Sequence, residues 1–271
     1  MSQRQPSASP SSGTQSLGRA ATILRELATR PRVGWGLTEL ASRCGLEKAT
    51  THRILAGLVR ERMVARHPDS QRYLPGPLLF ELGLAISAPA SLQAAAQESV
   101  HRIAARHGGI SALTLASGYD AVCCAHAGQV TTRALSFAVG DRRPMVMNSA
   151  GVAMLVCLPT AEMRAAIAYG LPRAAHLGAD RVRLIRDMIE QSSRLHYGLN
   201  QNNTVAGITG VAIAVLDATR RPVAALSVSG TDRQFPGSSI ATLVKALRSE
   251  VETLGKVCAQ VGTQDTKALL A

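Results

Sequence analysis

Apolar residues in the N-terminal third of the chain recur at helical intervals. From Ser16 onward, Leu17, Ala20, Ala21, Leu24, Leu27 and Ala28 form one stripe of an amphipathic helix, with Ser16 as the expected N-cap and Pro31 as the stop. The Gly-containing stretch 31–36 reads as a loop. Thr38 is placed to cap a short second helix ending at Cys44, with Leu40 and Ala41 inward, and Gly45 supplies the tight break before a third helix over 47–62. On a wheel of that third helix, Thr51, Ile54, Leu55 and Leu58 share one face. Ala49, Arg53, Ala56 and Arg60 lie opposite, flanked by Lys48, Thr50 and His52. Small residues beside arginines let a helix approach closely while guanidinium groups reach base edges or phosphates. The chain then reads as two short strands around Pro68-Asp69-Ser70-Gln71, a basic hairpin. Helix-turn-helix plus wing predicts a reader of duplex DNA.

Beyond this region, Leu78, Leu79, Leu82 and Ile86 line one side of a linker helix that is too apolar to stand alone and is expected to pack against a second subunit. A helix over 91–107 ends at Gly108-Gly109. Strands are expected over 110–116 and 121–127, around a Ser-Gly-Tyr-Asp turn, and over 132–139. Helices follow over 148–158, 161–169 and 180–197, then a hairpin of strands 211–216 and 222–229. Ile240, Leu243, Val244, Leu247, Val251 and Leu254 mark a long amphipathic C-terminal helix. An antiparallel sheet with helices on its faces is an α+β domain. The organisation expected is a disordered arm (1–14), a winged helix-turn-helix domain (15–76), a linker helix (77–90), an α+β domain (91–262) and a C-terminal tail (263–271).

Charge sharpens the picture. The 271 residues hold 30 Lys+Arg against 18 Asp+Glu, and residues 1–85 carry 12 of the basic and 6 of the acidic ones, half of the excess in under a third of the length. A charge run alone is usually a solvated face, but here it lies on the predicted winged motif, so the partner expected is a phosphate polymer and not a membrane. At 3% aromatic residues, base stacking on single strands is not expected. Five scattered cysteines and the absence of a long apolar run point to reduced thiols in a cytoplasmic, non-membrane protein. Cys124 and His126 share a strand face but fall short of the three or four ligands zinc needs, so no metal and no other cofactor is expected. There is no nucleophile elbow, P-loop or zinc-protease motif, and Asp217 and His196 flank the later segments without forming a legible nucleophile–base pair. An enzyme acting on a small molecule, with a DNA-binding appendage, is the alternative reading.

Several strings in order resemble the IclR-type transcriptional regulators: Gln15-Ser-Leu-Gly-Arg-Ala-Ala-Thr-Ile-Leu, Leu37-Thr-Glu-Leu-Ala, Gly45-Leu-Glu-Lys-Ala-Thr-Thr-His-Arg-Ile-Leu and Tyr73-Leu-Pro-Gly-Pro-Leu-Leu-Phe-Glu-Leu-Gly, with further similarity through 144–151 and 217–230. The resemblance implies an N-terminal all-α winged helix-turn-helix joined by a linker helix to a C-terminal α+β, GAF-like effector-binding domain. It implies a homodimer or dimer of dimers on palindromic operator DNA, answering to a small organic-acid effector. Lys48, Ala49, Thr50, Thr51 and Arg53 are the implied DNA contacts, with Arg66 and Arg72 on the wing and Ser16, Arg19 and Thr38 near the backbone. Ser149 and Ala150, at a helix start, and Ser227 and Ser229, on one side of a strand, are the implied pocket residues, completed by Gly151, Asn202 and Gly210. Asn200-Gln201-Asn202-Asn203 stands where many family members carry acidic residues, and Gly210 where some carry cysteine. Amides in place of carboxylates remove metal ligands and charge, so neither a metal-bound pocket nor a shared effector preference is carried over.

Overall fold

The computed structural model describes residues 12–84, 87–129 and 138–269. Most of the expected arm and most of the strand expected over 132–139 lie outside them. The chain forms two compact units, Met1–Ile86 and Ser87–Ala271.

In the first unit, helices α1 (Ser12–Leu27), α2 (Leu37–Cys44) and α3 (Lys48–Arg60) are followed by strands β1 (Val64–Arg66) and β2 (Tyr73–Pro75) and by helix α4 (Pro77–Leu84). The core unites Ile23, Leu27, Leu40, Leu55, Leu58, Val64 and Tyr73 with Trp35. In α1 the buried stripe runs through Ile23 and Leu27, whereas Leu17 is 73% exposed. Because α1 begins at Ser12, Ser16 lies inside the helix and cannot be its N-cap. Thr38 is likewise inside α2, whose N-cap is Gly36 with no side-chain cap. Gly45 takes the left-handed conformation (φ +64°) that turns the chain between α2 and α3, a conformation cheap only for glycine. The loop before α2 holds a feature the periodicity did not reveal. Trp35 and Tyr73 exchange backbone hydrogen bonds at 2.9 Å each way, adding a third, one-residue rung to the wing.

The second unit opens with α5 (Ser87–His107), four residues earlier than expected. Pro89 falls in its first turn, where the missing N–H breaks no helical bond. Within the linker stretch 77–90, α4 ends at Leu84 and α5 begins at Ser87; residues 85–86 lie outside the described residues. Strands β3 (Ile110–Ser117), β4 (Asp120–Gly128), β5 (Arg142–Pro144), β6 (Gly198–Gln201), β7 (Ile208–Leu216) and β8 (Pro222–Thr231) form one antiparallel sheet in the order β5-β4-β3-β8-β7-β6. Helices α6 (Ser149–Leu155), α7 (Thr160–Ala174) and α8 (Ala179–Leu195), with the 3₁₀ turns Met145–Met147 and Ala175–Leu177, lie between β5 and β6 in sequence. The C-terminal helix α9 (Ile240–Leu269) runs through most of the expected tail, since no proline interrupts it.

Alternation along the strands sorts the sheet into two cores. Leu113, Val211, Ile213, Val215, Leu226 and Val228 meet Val100 and Ile103 of α5 and Leu243 and Leu247 of α9. On the other face, Ala121, Ala212 and Ala225 present small side chains to α6. All seven residues of α6 are buried, which fits its composition, Ser-Ala-Gly-Val-Ala-Met-Leu, apolar nearly all round. The edge strands β5 and β6 escaped the sequence reading because they are three and four residues long and lack the β-branched alternation that marks a strand. At the first core's centre, Leu226 is fully buried and paired with Leu113 and Ile213. Leu226→Ala is expected to cost about 2–5 kcal/mol, read as a lowered denaturation midpoint by circular dichroism. An unchanged midpoint would show that this pairing is not packed.

Candidate functional site

Helix α3 of the first unit presents a basic face. Helix α3 turns Thr51, Leu55 and Leu58 inward and leaves Lys48, Ala49, His52, Arg53, Ala56 and Arg60 exposed, with Thr50 half-buried. Thr51 is a correction to the expected contact set. Its side chain is fully buried and its hydroxyl donates to the Glu47 carbonyl at 3.0 Å, so no part of it is open to a ligand. Among the described residues no salt bridge occupies Lys48 or Arg53.

The wing arginines differ. Arg66 is exposed, its guanidinium 5.5 Å from the centre of the Tyr73 ring. Arg72 is tied down: Nη2 pairs with Glu39 at 3.0 Å and Nε donates to the Gly34 carbonyl at 3.2 Å. Arg30 also reaches Glu39, at 3.0 Å, and lies 3.8 Å over Trp35. The Arg30 hydrogen bond, helped by the Gly36 backbone and by Arg72, holds the Glu39 carboxyl below its usual range. Arg72 thus anchors the base of the wing to α2. Ser16 and Thr38 are exposed, and Arg19 is half-buried.

The second unit encloses a cavity of about 360 Å³ between the sheet and the start of α6. Four of the expected residues line it: Ser149, Ala150, Ser227 and Ser229. The Ser227 hydroxyl donates to the Ala112 carbonyl at 3.2 Å, satisfying the strand beside it. No hydrogen bond within the described residues engages the Ser149 or Ser229 hydroxyl, although these residues are only 4% and 8% exposed. Both hydroxyls converge above Gly210: a Cβ at that position would lie 2.7 Å from Ser229 Oγ and 3.0 Å from Ser149 Oγ. Gly210 therefore forms floor rather than wall, and the space it leaves belongs to the hydroxyls.

Two expected pocket residues sit elsewhere. Gly151 is packed behind the cavity, where an added Cβ would meet the Met145 carbonyl oxygen at 2.2 Å; its N–H donates to Asn148, the N-cap of α6, at 2.7 Å. Asn202 is exposed, in the left-handed conformation (φ +65°), and its side chain accepts from the Gly207 N–H within the β6–β7 turn. The amide run serves that turn. Asn200 Oδ1 accepts from the N–H groups of Asn203 and Thr204 at 3.1 Å, and Asn203 both accepts from Gln201 N–H and donates to the Leu184 carbonyl. A carboxylate could accept in these places but could not donate.

Of the run, it is Asn200 that lines the cavity, together with Arg143, His176 and Thr204, none of which the sequence reading selected. Arg143 lies on the unforeseen edge strand β5. Its neighbour Arg142 is engaged by Asp120 at 3.1 Å and Ser117 at 2.9 Å, a buried pair that fastens β5 to β4. Burial pushes the thiol of Cys44 up to about 11 and that of Cys123 up to about 12, and raises those of Cys124 and Cys157, so these cysteines behave as small apolar groups. Among the described residues, no group of three His, Cys, Asp or Glu could hold a metal ion, and no helix is long and apolar enough to cross a membrane.

Comparison with known proteins fits both halves of this description. The model of the IclR helix-turn-helix domain matches residues 16–68, and that of the bacterial transcriptional regulator IclR C-terminal region matches residues 87–255. The chain is 29% identical over 238 residues to the glycerol operon regulatory protein of Streptomyces griseus, covering 86% of this chain and 92% of that one. Among solved structures, an IclR transcriptional regulator from Alicyclobacillus acidocaldarius superposes with a TM-score of 0.68 at 24% identity, covering 90% of this chain and 99% of the other. An IclR homolog from Microbacterium hydrocarbonoxydans, complexed with 4-hydroxybenzoate, gives 0.65 at 20% identity, covering 90% and 98%.

Proposed function

The chain belongs to the IclR family of DNA-binding transcriptional regulators, and on that premise we propose that it binds palindromic operator DNA as a homodimer or a dimer of dimers, in the cytoplasm, under control of a small organic acid held in the cavity of the second unit. Its relatives are named as regulators, and the chain is a regulator and not an enzyme.

The observation that carries the DNA reading is the exposed strip Lys48-Ala49-His52-Arg53-Ala56 on α3, beside a wing tipped with Arg66. The major groove admits an α-helix, and the small, exposed Ala49 and Ala56 leave room for close approach beside Lys48 and Arg53. We assign Arg53 to a base edge and Arg66 to phosphate, because both guanidinium groups are exposed on this face. The organic-acid reading rests on two hydroxyls, Ser149 and Ser229, that no hydrogen bond among the described residues engages, in a cavity with no acidic residue among those lining it. The Microbacterium structure shows that a related chain accommodates an aromatic acid. The apolar side of α4, with Phe80 at 70% and Leu82 at 49% exposure, is the surface we assign to the second subunit.

Arg53→Ala is expected to weaken specific operator binding by about 1–3 kcal/mol and to relax sequence preference, whereas Arg66→Ala weakens all sequences alike and lowers the salt slope. Specific affinity left intact in the Arg53 variant would sink the assignment of α3 as the reading helix. A mobility shift on the DNA upstream of the protein's own gene, with excess non-specific competitor, tests the regulatory reading. A retained shift that changes with a panel of carboxylic acids is expected; a shift indifferent to every acid in the panel counts against the effector.

A further inference from the structure

We propose that Glu39 is a positioning residue for DNA binding: it holds Arg72 within the protein, so that this arginine sets the wing against the helix-turn-helix and does not itself touch DNA. This rests on the reading of the first unit as a DNA-binding domain and adds to it why an acidic residue stands where α2 meets the wing.

Glu39 lies in the first turn of α2, and its two carboxylate oxygens take different partners. Oε1 accepts from Arg30 Nη1 at 3.0 Å, and Oε2 accepts from Arg72 Nη2 at 3.0 Å. Arg72 Nε donates to the Gly34 carbonyl at 3.2 Å, so two nitrogens of its guanidinium are spent inside the unit. Its own carbonyl accepts from the His67 N–H at 2.8 Å, across the hairpin. The next residue, Tyr73, stands opposite Arg66 in the strand register, and Arg66 is the exposed arginine of the wing. Whatever fixes Arg72 and Tyr73 therefore fixes Arg66 across one strand pair.

Two attachments do so. The backbone rung between Trp35 and Tyr73 ties β2 to the loop before α2. The Glu39–Arg72 pair ties it to α2 itself, and α2 shares a core with α3 through Leu40 and Leu55. One rung alone fixes a distance and leaves the hairpin free to swing about it; a second point on the helix removes that freedom. Such a clamp gives little stability, but it lets Arg66 and α3 meet the duplex together without first being ordered.

Charge gives the proposal a sign. Phosphate contacts release counterions, so added positive charge ordinarily tightens DNA binding. Neutralising Glu39 also frees Arg30 and Arg72. On charge alone Glu39→Gln binds DNA more tightly; if Glu39 positions the wing, the variant binds its operator less tightly.

Competition mobility shifts with the full chain decide, comparing the DNA upstream of the protein's own gene, or a duplex selected from genomic fragments, with a scrambled duplex of equal length over a range of salt. Glu39→Gln and Arg72→Gln are each expected to lose about three- to fivefold in preference for the operator, the range open to a surface ion pair. The double variant is expected to lose no more than the worse single one, because both break the same contact. Equal melting temperatures separate positioning from loss of fold. Glu39→Asp, which keeps the charge and shortens the reach, is expected to weaken binding in the same way and carries the test if Glu39→Gln does not fold. Operator binding that tightens or stays the same in the Glu39 variant overturns the proposal. So does a salt slope that falls by about one in Arg72→Gln, which would put that arginine on a phosphate. A folded wild type that prefers no duplex to the scrambled one overturns the DNA reading, and this proposal with it.

Discussion

Strand β8 is paired along both edges and covered on both faces, so each of its residues must be satisfied inside the protein. Ala224, Leu226 and Val228 meet this by packing under α5 and α9. Ala225, on the opposite face, does so under α6, but Ser227 and Ser229 follow it on that face, and a buried hydroxyl needs a partner. Ser227 finds the Ala112 carbonyl. Ser229 does not, and it opens onto the cavity together with Ser149. The cavity is thus what remains when a two-sided strand turns from apolar to polar beneath a short buried helix.

The same reasoning separates the arginines. Those on exposed faces without a carboxylate nearby, such as Arg53, are available to an outside anion. Those bonded to fixed acceptors are structural: Arg72 anchors the wing through Glu39 and Gly34, and Arg142 holds β5 through Asp120. Isolated surface ion pairs contribute little to stability, about 0–1 kcal/mol, so the Arg72 pair matters more for where it places the wing than for its energy. The backbone rung between Trp35 and Tyr73, next to the Arg72–Gly34 bond, supports the same hairpin.

Much of the fold was legible in the periodicity. Gly45, the inward face of α3, the turn at 68–71, the alternation of 224–229 and the apolar stripe of α9 are local patterns whose spacing reports burial directly. The misses share a cause. Strands β5 and β6 are too short to show a period, Trp35 joins the wing through one residue, and the start of α1 carries no strong signal. In the candidate site, residues on a strand or helix start with a clear face were found, namely Ser149, Ala150, Ser227 and Ser229. Within 200–203 it is Asn200 and not Asn202 that lines the cavity, because which of four consecutive polar residues faces it depends on the turn that contains them.

The amino-acid sequence by itself determined the two-part architecture, the two-sided polarity of α3 and the family, since these follow from local spacing and ordered motifs. Only the tertiary structure decided that Thr51 is core, that Arg72 is an anchor, that Gly210 is a floor and that Arg143 lines the same cavity as a serine of a distant strand. The reason is physical. A side chain's partners are chosen by long-range packing, and Arg143 and Ser229, 86 residues apart in the chain, share a cavity only because β5 and β8 were paired into one sheet.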